Sequence, residues 1–177
     1  MQRNVYNDIA MNDQFKKFLS VLETLDKEGV EYILIGGVAV ILHGIERLTG
    51  DIDIFVKMED ENIARLRNAL HSISEDQSID EITLEALQEY AVIRFGAADE
   101  FYIDIMARLG EVAVYEDLEF EILLHQGIKI RIATPETLYK LKKDTLRLKD
   151  KFDAAYLKYL IDIRHSNNTE KKNPIER

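Results

Sequence analysis

The stretch IGGVAVILHGIERLTGDIDIFV, residues 35–56, decides the fold because it places unusual residues at the end of one apolar run and inside another. Gly36 and Gly37 follow the first run, whereas Asp51 and Asp53 lie within the second. In a β-strand, residues i and i+2 project from the same face, about 7 Å apart. Two ionised carboxylates in that arrangement repel each other, and burial raises the cost. We therefore expect a positive partner between them, and magnesium binds carboxylate oxygens readily.

A third aspartate occupies a similar position. Asp104 lies in the middle of the apolar run FYIDIM, residues 101–106. If this run forms a strand beside the one predicted at residues 51–57, three carboxylates meet on one surface. Two magnesium ions about 3.5–4 Å apart can then hold an attacking and a leaving oxygen. A single acid-x-acid strand is equally typical of an amphipathic strand that shows its acids to water, but a third embedded acid favours the metal site.

The glycine pair indicates a site for phosphate. Without a Cβ atom, Gly36 and Gly37 let the backbone approach a phosphate closely, and the helix predicted after them offers unpaired N–H groups. Most glycine pairs only mark turns. The pair therefore supports a phosphate site together with the aspartates and not on its own.

The charge of the chain is unevenly distributed. The net charge is −10, and residues 1–128 carry 26 acidic against 10 basic residues, whereas residues 129–151 carry 8 basic against 3 acidic residues. Such an acidic body argues against broad nucleic-acid coating, so we expect no DNA binding. The basic segment fits a phosphorylated substrate near the acidic site, although a solvated helix face is the more ordinary reading of such a segment taken alone.

The composition excludes several other classes of protein. The chain has no cysteine, so disulfides and thiolate metal sites are excluded, and its four histidines lack zinc-like spacing. No apolar run approaches the roughly 20 residues of a membrane helix, and the N-terminal residues lack the plan of a signal peptide. We expect a cytoplasmic protein without membrane association.

The periodicity predicts an α/β (α+β) fold, a sheet with helices packed against it and a helical C-terminal segment. The predicted helices are 13–28, 37–43, 59–70, 81–88 and 135 to about 164 with a possible break near 149–151; the predicted strands are 31–35, 51–57, 90–95, 101–106, 119–124 and 128–133. We expect a core of residues 1–134, a helical segment of residues 135–165 packed on it, and a disordered tail of residues 166–177.

Together these features resemble the nucleotidyltransferase superfamily, which includes DNA polymerase beta and the aminoglycoside nucleotidyltransferases. Its pattern is a glycine pair that ends a strand, an acid-x-acid strand, and a later strand with a third acid. The matching residues are Gly36, Gly37, Asp51, Asp53 and Asp104. The resemblance implies a mixed sheet flanked by helices.

Two further stretches look closest to the AbiEii-like branch, the nucleotidyltransferase toxins of abortive-infection toxin–antitoxin systems. The first is HGIERLTGDIDI, with Arg47 and Thr49. The second is KKDTLRLKDKFD, residues 142–153, which is similar to a helical motif of that branch; its matching residues are Lys142, Arg147, Lys149, Asp150 and Asp153. On one continuous helix, Lys142, Lys149 and Asp153 would share a face. Local salt bridges of the two aspartates with neighbouring basic residues are the alternative reading.

The resemblance implies a magnesium-dependent enzyme that moves a nucleoside monophosphate from a nucleoside triphosphate to an acceptor hydroxyl, with two ions. It assigns the metal and the catalysis to Asp51, Asp53 and Asp104. It assigns the nucleotide to Gly36, Gly37, Arg47, Thr49, Lys142 and Arg147. RNA or protein is the expected acceptor, and an antitoxin is a possible partner.

Two other functions stay open at this point. One is a nucleotide-binding regulatory protein that keeps the fold without catalysis, and the other is an antibiotic-modifying nucleotidyltransferase. A deep acidic acceptor pocket would favour the second, since aminoglycosides are cationic. We expect His43 to pack and Tyr102 to lie in the core or at the rim of the site.

Overall fold

The computed structural model describes residues 5–97, 101–109 and 113–172. The helices are α1 (Val5–Lys27), α2 (Gly36–Leu42), α3 (Asp60–His71), α4 (Leu84–Glu89), α5 (Pro135–Lys142) and α6 (Leu148–Lys172). The strands are β1 (Tyr32–Ile35), β2 (Asp51–Val56), β3 (Ile93–Ala97), β4 (Phe101–Met106), β5 (Arg108–Leu109), β6 (Ala113–Val114), β7 (Phe120–His125) and β8 (Ile128–Ala133). The predicted mixture of strands and helices is confirmed, with shifted ends: α1 begins at Val5 and not near residue 13.

Six strands form one mixed sheet in the order β3-β4-β2-β1-β8-β7, and β5 and β6 form a separate pair. β2 lies antiparallel to β1 and parallel to β4. The strands predicted at residues 119–124 and 128–133 are present as β7 and β8, which pair antiparallel as a hairpin. The two strands that carry the aspartates are therefore neighbours, as predicted, and they lie inside the sheet.

Apolar side chains on both faces of the sheet form the core. α1 packs against α3 and β8, while α2 packs against β1, β2 and α5. Central members of the core with no measurable exposure are Leu22, Ile33, Leu34, Val38, Ile52, Ile54, Leu66, Ile103, Ile132 and Leu138. Since these residues come from four helices and four strands, the central strands are held rigidly, which fixes the side chains that they carry.

The C-terminal helices differ from the prediction in two places. The Thr134 hydroxyl accepts a hydrogen bond from the backbone N–H of Thr137, and proline follows at the first helical position, so α5 starts where the sequence indicates. The break then falls at residues 143–147 and not near 149–151. α6 continues to Lys172, past the end predicted near Arg164, whereas the division of the chain into core, helical segment and tail stays a prediction.

Among the described residues, no helix combines the length and the apolar character that crossing a lipid bilayer requires.

Candidate active site

Three aspartates converge on one face of the parallel pair β2 and β4. The register sets Asp53 opposite Asp104, and Asp51 lies two residues before Asp53. Ile52 and Ile54 are fully buried on the opposite face, so the alternation of the strand turns the acids toward the site. One carboxylate oxygen from each aspartate lies within 4.8 Å of the other two. The structure thus brings together the three acids that the sequence singled out.

This donor set fits magnesium. The ion prefers carboxylate and other hard oxygen ligands, and it keeps water and phosphate oxygens in its remaining positions. Three carboxylate oxygens within 4.8 Å can contribute to one ion or to two neighbouring ions. Asp51, Asp53 and Asp104 are therefore the residues that could hold the metal.

Close contacts explain both glycines. Gly36 has a φ of +68°, and a Cβ atom there would lie 1.8 Å from Asp53 Oδ2. A Cβ atom on Gly37 would lie 2.4 Å from Thr49 Oγ1 and 2.8 Å from Arg47 Nη2. The Gly37 N–H also donates a weak hydrogen bond of 3.4 Å to Asp53 Oδ2. The glycines thus make room for the protein's own polar groups, a requirement beyond the phosphate approach that the sequence indicated.

The segment before β2 adds two of the predicted nucleotide-binding residues. The Thr49 hydroxyl donates to Asp51 Oδ1 at 2.9 Å and fixes the orientation of that carboxylate. Arg47 Nη1 forms an ion pair with Asp153 Oδ2 on α6. Arg47 therefore connects this segment to α6, and both side chains of the ion pair are largely buried.

Lys142 lies at the centre of a buried ion cluster. Its Nζ donates to Asp150 Oδ1 at 2.8 Å and lies 3.0 Å from Asp153 Oδ2. Asp150 Oδ2 also accepts hydrogen bonds from Arg147 Nε at 2.7 Å and from the Thr145 hydroxyl at 3.2 Å. Burial by itself would raise the pKa of Asp150, but the hydrogen bond and charge of Lys142, helped by Arg147, outweigh it and hold the pKa below its usual range.

This cluster corrects the expected geometry of the motif in residues 142–153. A continuous helix would have put Lys142, Lys149 and Asp153 on one face, but the helix breaks at residues 143–147. Lys142 instead reaches across the break to α6. The local salt-bridge reading is right for Asp150 with Arg147, whereas Asp153 pairs with Arg47, which is distant in sequence.

Arg94 is a site residue that the sequence reasoning missed. It lies on β3 directly opposite Asp104, and its Nε and Nη2 donate to the two carboxylate oxygens at 2.7 and 2.6 Å. Its guanidinium also lies 5.1 Å from the centre of the Tyr102 ring. A lone basic residue in an apolar strand was the available signal, but its partner depends on the strand register.

The surroundings of Asp53 disfavour its charged form. Burial raises the pKa of Asp53 to about 6, and the neighbouring Asp51 carboxylate and then Asp104 add to this rise. The Gly37 N–H and the charge of Lys142 oppose it without cancelling it. Without a cation, the surroundings of Asp53 therefore favour its neutral form relative to a carboxyl in water.

A small pocket of about 130 Å³ encloses the triad. Its lining combines acidic and basic side chains: Asp51, Asp53, Asp104, Asp150, Arg47, Arg94, Lys142, Arg147 and Lys149. A larger, mainly apolar pocket of about 440 Å³ adjoins it between α1, α2 and the segment before β2, and Arg47 lines both pockets. Among the described residues, the larger pocket is lined by one acid, Glu46, against one base.

The remaining candidates lie around the site. His43 packs as expected: its side chain is buried, and its Nε2–H donates to the carbonyl of Ala133 at 2.9 Å. Burial lowers the pKa of His43. The ring of His125 lies edge-on to Phe15. Tyr102 is half-exposed at the rim of the site, as predicted.

Comparison with known proteins now identifies the chain. Residues 18–165 match the family described as "Nucleotidyl transferase AbiEii toxin, Type IV TA system". The chain belongs to this family. It is thus a nucleotidyltransferase of the AbiEii family, which confirms the resemblance found in the sequence. A search of curated protein sequences found no match.

Solved structures share the fold of this AbiEii family member. The lincosamide antibiotic adenylyltransferase LnuA, with lincomycin bound, is 19% identical with a TM-score of 0.58 over 81% of this chain and 95% of that chain. ANT(2")-Ia, in complex with adenylyl-2"-tobramycin, is 11% identical with a TM-score of 0.52 over 91% and 99%. An antigenic nucleotidyltransferase-like protein from Paracoccidioides brasiliensis is 16% identical with a TM-score of 0.52 over 84% and 77%.

Proposed function

We propose that the protein is a magnesium-dependent enzyme that transfers a nucleoside monophosphate from a nucleoside triphosphate to an acceptor hydroxyl of a macromolecule. The observation that carries the proposal is the triad of Asp51, Asp53 and Asp104, whose oxygens lie within 4.8 Å of one another. When bound, magnesium would neutralise the charge that develops on the phosphate and on the leaving pyrophosphate. Asp51 and Asp53 would hold the ions, and Asp104 would complete one site and accept the proton of the acceptor hydroxyl.

The phosphates would lie on the side of the triad that faces α5 and α6. Lys142, Arg147 and Lys149 line the pocket there. Arg147 is 69% exposed and can turn toward a ligand, whereas the Lys142 ammonium already contacts two buried carboxylates. We therefore assign direct phosphate contact to Arg147 and Lys149, and to Lys142 a positive potential together with the positioning of α6. Gly36 and Gly37 would contribute backbone contacts.

The family description supports a toxin that is restrained by an antitoxin. We propose that this toxin acts on RNA or protein in the cytoplasm of the same cell. The antibiotic-modifying function has less support. The triad pocket is small, and five basic side chains line it beside its four acids. The larger pocket has no excess of acidic side chains among the described residues. A cationic aminoglycoside would find no excess of negative charge there. Lincomycin and tobramycin are ligands of LnuA and of ANT(2")-Ia, and the shared fold does not transfer them to this chain.

The test is transfer of label from each α-labelled nucleoside triphosphate in the presence of Mg²⁺. Separate reactions receive total RNA, total protein, lincomycin or tobramycin as the acceptor. We expect label on RNA or protein, loss of label with a chelator, and loss with the Asp51→Asn, Asp53→Asn double variant. The matched control is Asp13→Asn with Asp80→Asn, which removes two exposed acids away from the site and should keep the parent rate.

Three outcomes would overturn the proposal or a part of it. Transfer at the parent rate by the Asp51→Asn, Asp53→Asn variant would show that the triad does not hold the catalytic metal. Nucleotide that binds with Mg²⁺ but is never consumed, with any acceptor, would favour the regulatory protein. Label on an antibiotic alone would replace the macromolecular acceptor with a small one.

A further inference from the structure

Arg94 pairs with both oxygens of the third carboxylate of the triad. Its Nε donates to Asp104 Oδ1 and its Nη2 to Asp104 Oδ2, a two-point ion pair between register partners on β3 and β4. The Asp104 side chain is 10% exposed, whereas that of Arg94 is 56% exposed. The carboxylate is thus largely enclosed by the sheet, and the guanidinium is the solvent-exposed member of the pair.

A divalent cation that uses Asp104 would compete with this contact. Each carboxylate oxygen accepts one hydrogen bond from Arg94 and keeps a further lone pair, so an ion can bind there only as a close neighbour of the guanidinium. A guanidinium left a few ångströms from the ion would be repelled by it, because like charges in a partly buried site interact strongly. Arg94 has room to turn away from Asp104, since solvent surrounds much of its side chain, and its guanidinium already lies 5.1 Å from the centre of the Tyr102 ring, a contact that does not need the carboxylate.

We propose that Arg94 is a built-in competitor of the metal: it neutralises Asp104 in the ion-free protein, is displaced when a divalent cation binds, and so sets the affinity of the ion that uses Asp104. The inference rests on the proposed function, because it needs a metal at the triad. It differs from a purely orienting role. A residue that kept Asp104 in place for the metal would weaken metal binding when removed, whereas a competitor strengthens it.

The first test measures binding of Mn²⁺ to the intact chain by electron paramagnetic resonance of the free ion. For Arg94→Gln we expect the Mn²⁺ affinity of the site that includes Asp104 to rise about tenfold. This is the order of magnitude expected when the ion no longer competes with a charge-assisted hydrogen-bond pair. The matched control is Lys149→Gln, which removes a positive charge that lines the same pocket without touching Asp104. We expect less than about threefold tightening there, from the change in local charge alone.

A comparison of these variants decides between the roles. Equal tightening in Arg94→Gln and Lys149→Gln would reduce Arg94 to one charge among several and overturn the inference. Weaker binding in Arg94→Gln would make it an orienting residue and also overturn it. Arg94→Lys should fall between the parent and Arg94→Gln, because one ammonium cannot make the two-point contact.

The second test observes the displacement directly. The arginine Nε–H signal of Arg94, assigned from its loss in Arg94→Lys, is followed by NMR during titration with Mg²⁺. We expect a protected signal without the ion and a shift or exchange broadening as the ion binds. An unchanged Arg94 signal in protein that binds Mg²⁺ at the triad would overturn the inference.

Failure of the proposed function gives a different result. If the Asp51→Asn, Asp53→Asn variant binds Mn²⁺ as the parent does, the triad is not the metal site, and both the function and the inference fall. If that variant loses Mn²⁺ while Arg94→Gln and Lys149→Gln behave alike, the metal site stands and only the role of Arg94 falls.

Discussion

Asp53 is partly buried and lies next to two other carboxylates. Its oxygen fills the space that Gly36 leaves free, and Asp51 and Asp104 are its charged neighbours. Burial raises its pKa to about 6, and Asp51 adds to that rise, against the opposing charge of Lys142. At this scale the site is built for ion binding at the expense of the stability of the ion-free protein, a cost often found at functional sites.

The first prediction concerns the pH dependence of Asp53→Asn without metal. A carboxyl whose pKa is raised from 3.8 to about 6 in the folded state binds its proton more tightly there, so its contribution to stability falls as pH rises through that window. At neutral pH the ionised group costs about 3 kcal/mol. We expect the free energy of unfolding of Asp53→Asn minus that of the parent to increase by about 2 kcal/mol between pH 4 and pH 7. Urea unfolding with a chelator measures it, and a constant difference over this range would contradict the raised pKa.

The second prediction concerns Gly36→Ala. The added Cβ would overlap Asp53, whose Oδ2, Cγ and Cβ atoms lie 1.8, 2.4 and 2.7 Å from it. We expect nucleotide transfer to fall at least about tenfold, because the carboxylate has to move away from its position in the triad. Single-turnover rates with saturating nucleotide measure the loss.

Gly29→Ala is the matched control for this substitution. Gly29 has nearly the same φ, +67°, but a Cβ atom there meets nothing within 4 Å. Alanine should cost about 1 kcal/mol of stability through backbone strain alone and should leave the transfer rate unchanged. Equal effects of the two substitutions on transfer would show that strain, and not the contact with Asp53, explains the Gly36 result.

At the scale of elements, the break between α5 and α6 organises the basic side of the site. Lys142 ends α5, and Asp150 and Asp153 lie in the first turns of α6, so one ammonium joins the two helices. Both carboxylates are almost fully buried, at 1% and 3% exposure. A buried charge that loses its partner is far more costly than the pair was favourable. This makes Lys142 a structural residue as well as a nucleotide-site residue.

The third prediction follows from that cluster. Lys142→Met should lower the free energy of unfolding by about 3–5 kcal/mol, the usual cost of leaving a buried charge unpaired. Urea unfolding at pH 7 measures the change. Lys140→Met, on the exposed face of the same helix, is the control and should change stability by less than about 0.5 kcal/mol.

A combined variant checks the cause. Adding Asp150→Asn and Asp153→Asn to Lys142→Met removes the unpaired carboxylates, so much of the lost stability should return. If Lys142→Met is as stable as the parent, the ammonium is solvated and the buried cluster does not hold α6.

At the scale of the whole molecule, charge limits which acceptors can bind. The chain carries a net charge of −10, and residues 129–151 are its basic segment. The structure spreads that segment over β8, α5 and the start of α6, and it buries Lys142. The basic residues therefore cannot all face one polyanion. Any RNA acceptor would be held by few phosphate contacts.

The fourth prediction states this limit for RNA. With about three or four phosphate contacts to a single strand, the affinity should fall with salt with a logarithmic slope of about 2–3. The triple change of Lys140, Lys143 and Lys149 to glutamate should remove the binding, while transfer to a small acceptor survives in reduced form. Filter binding between about 50 and 200 mM salt measures both the slope and the loss.

The control reverses the same number of charges elsewhere. Lys16, Lys17 and Lys27 lie on α1, and their change to glutamate should leave most of the RNA affinity. Equal losses in the two triple variants would indicate a net-charge effect. Absence of RNA binding by the parent at low salt would direct the search to a protein acceptor.

The sequence by itself determined the elements and the acidic core of the site. Alternation with a period of two requires Asp51 and Asp53 to share a face, and Asp104 follows the same rule on its own strand. The glycine pair, the turn before β8 and the Thr134-Pro135 helix start also depend on local backbone chemistry, which neighbouring residues specify. These features can therefore be recognised from the sequence, and the resemblance to the family rests on them.

Only the tertiary structure decided which distant groups the acids meet. Arg94 binds Asp104 because β3 and β4 pair in one particular register, and Arg47 meets Asp153 because α6 folds back over the segment before β2. Lys142 is buried because the helix breaks at residues 143–147 rather than continuing. Each of these contacts depends on register, docking and the balance between desolvation and ion pairing, which are properties of the packed chain and leave no periodic trace in the sequence.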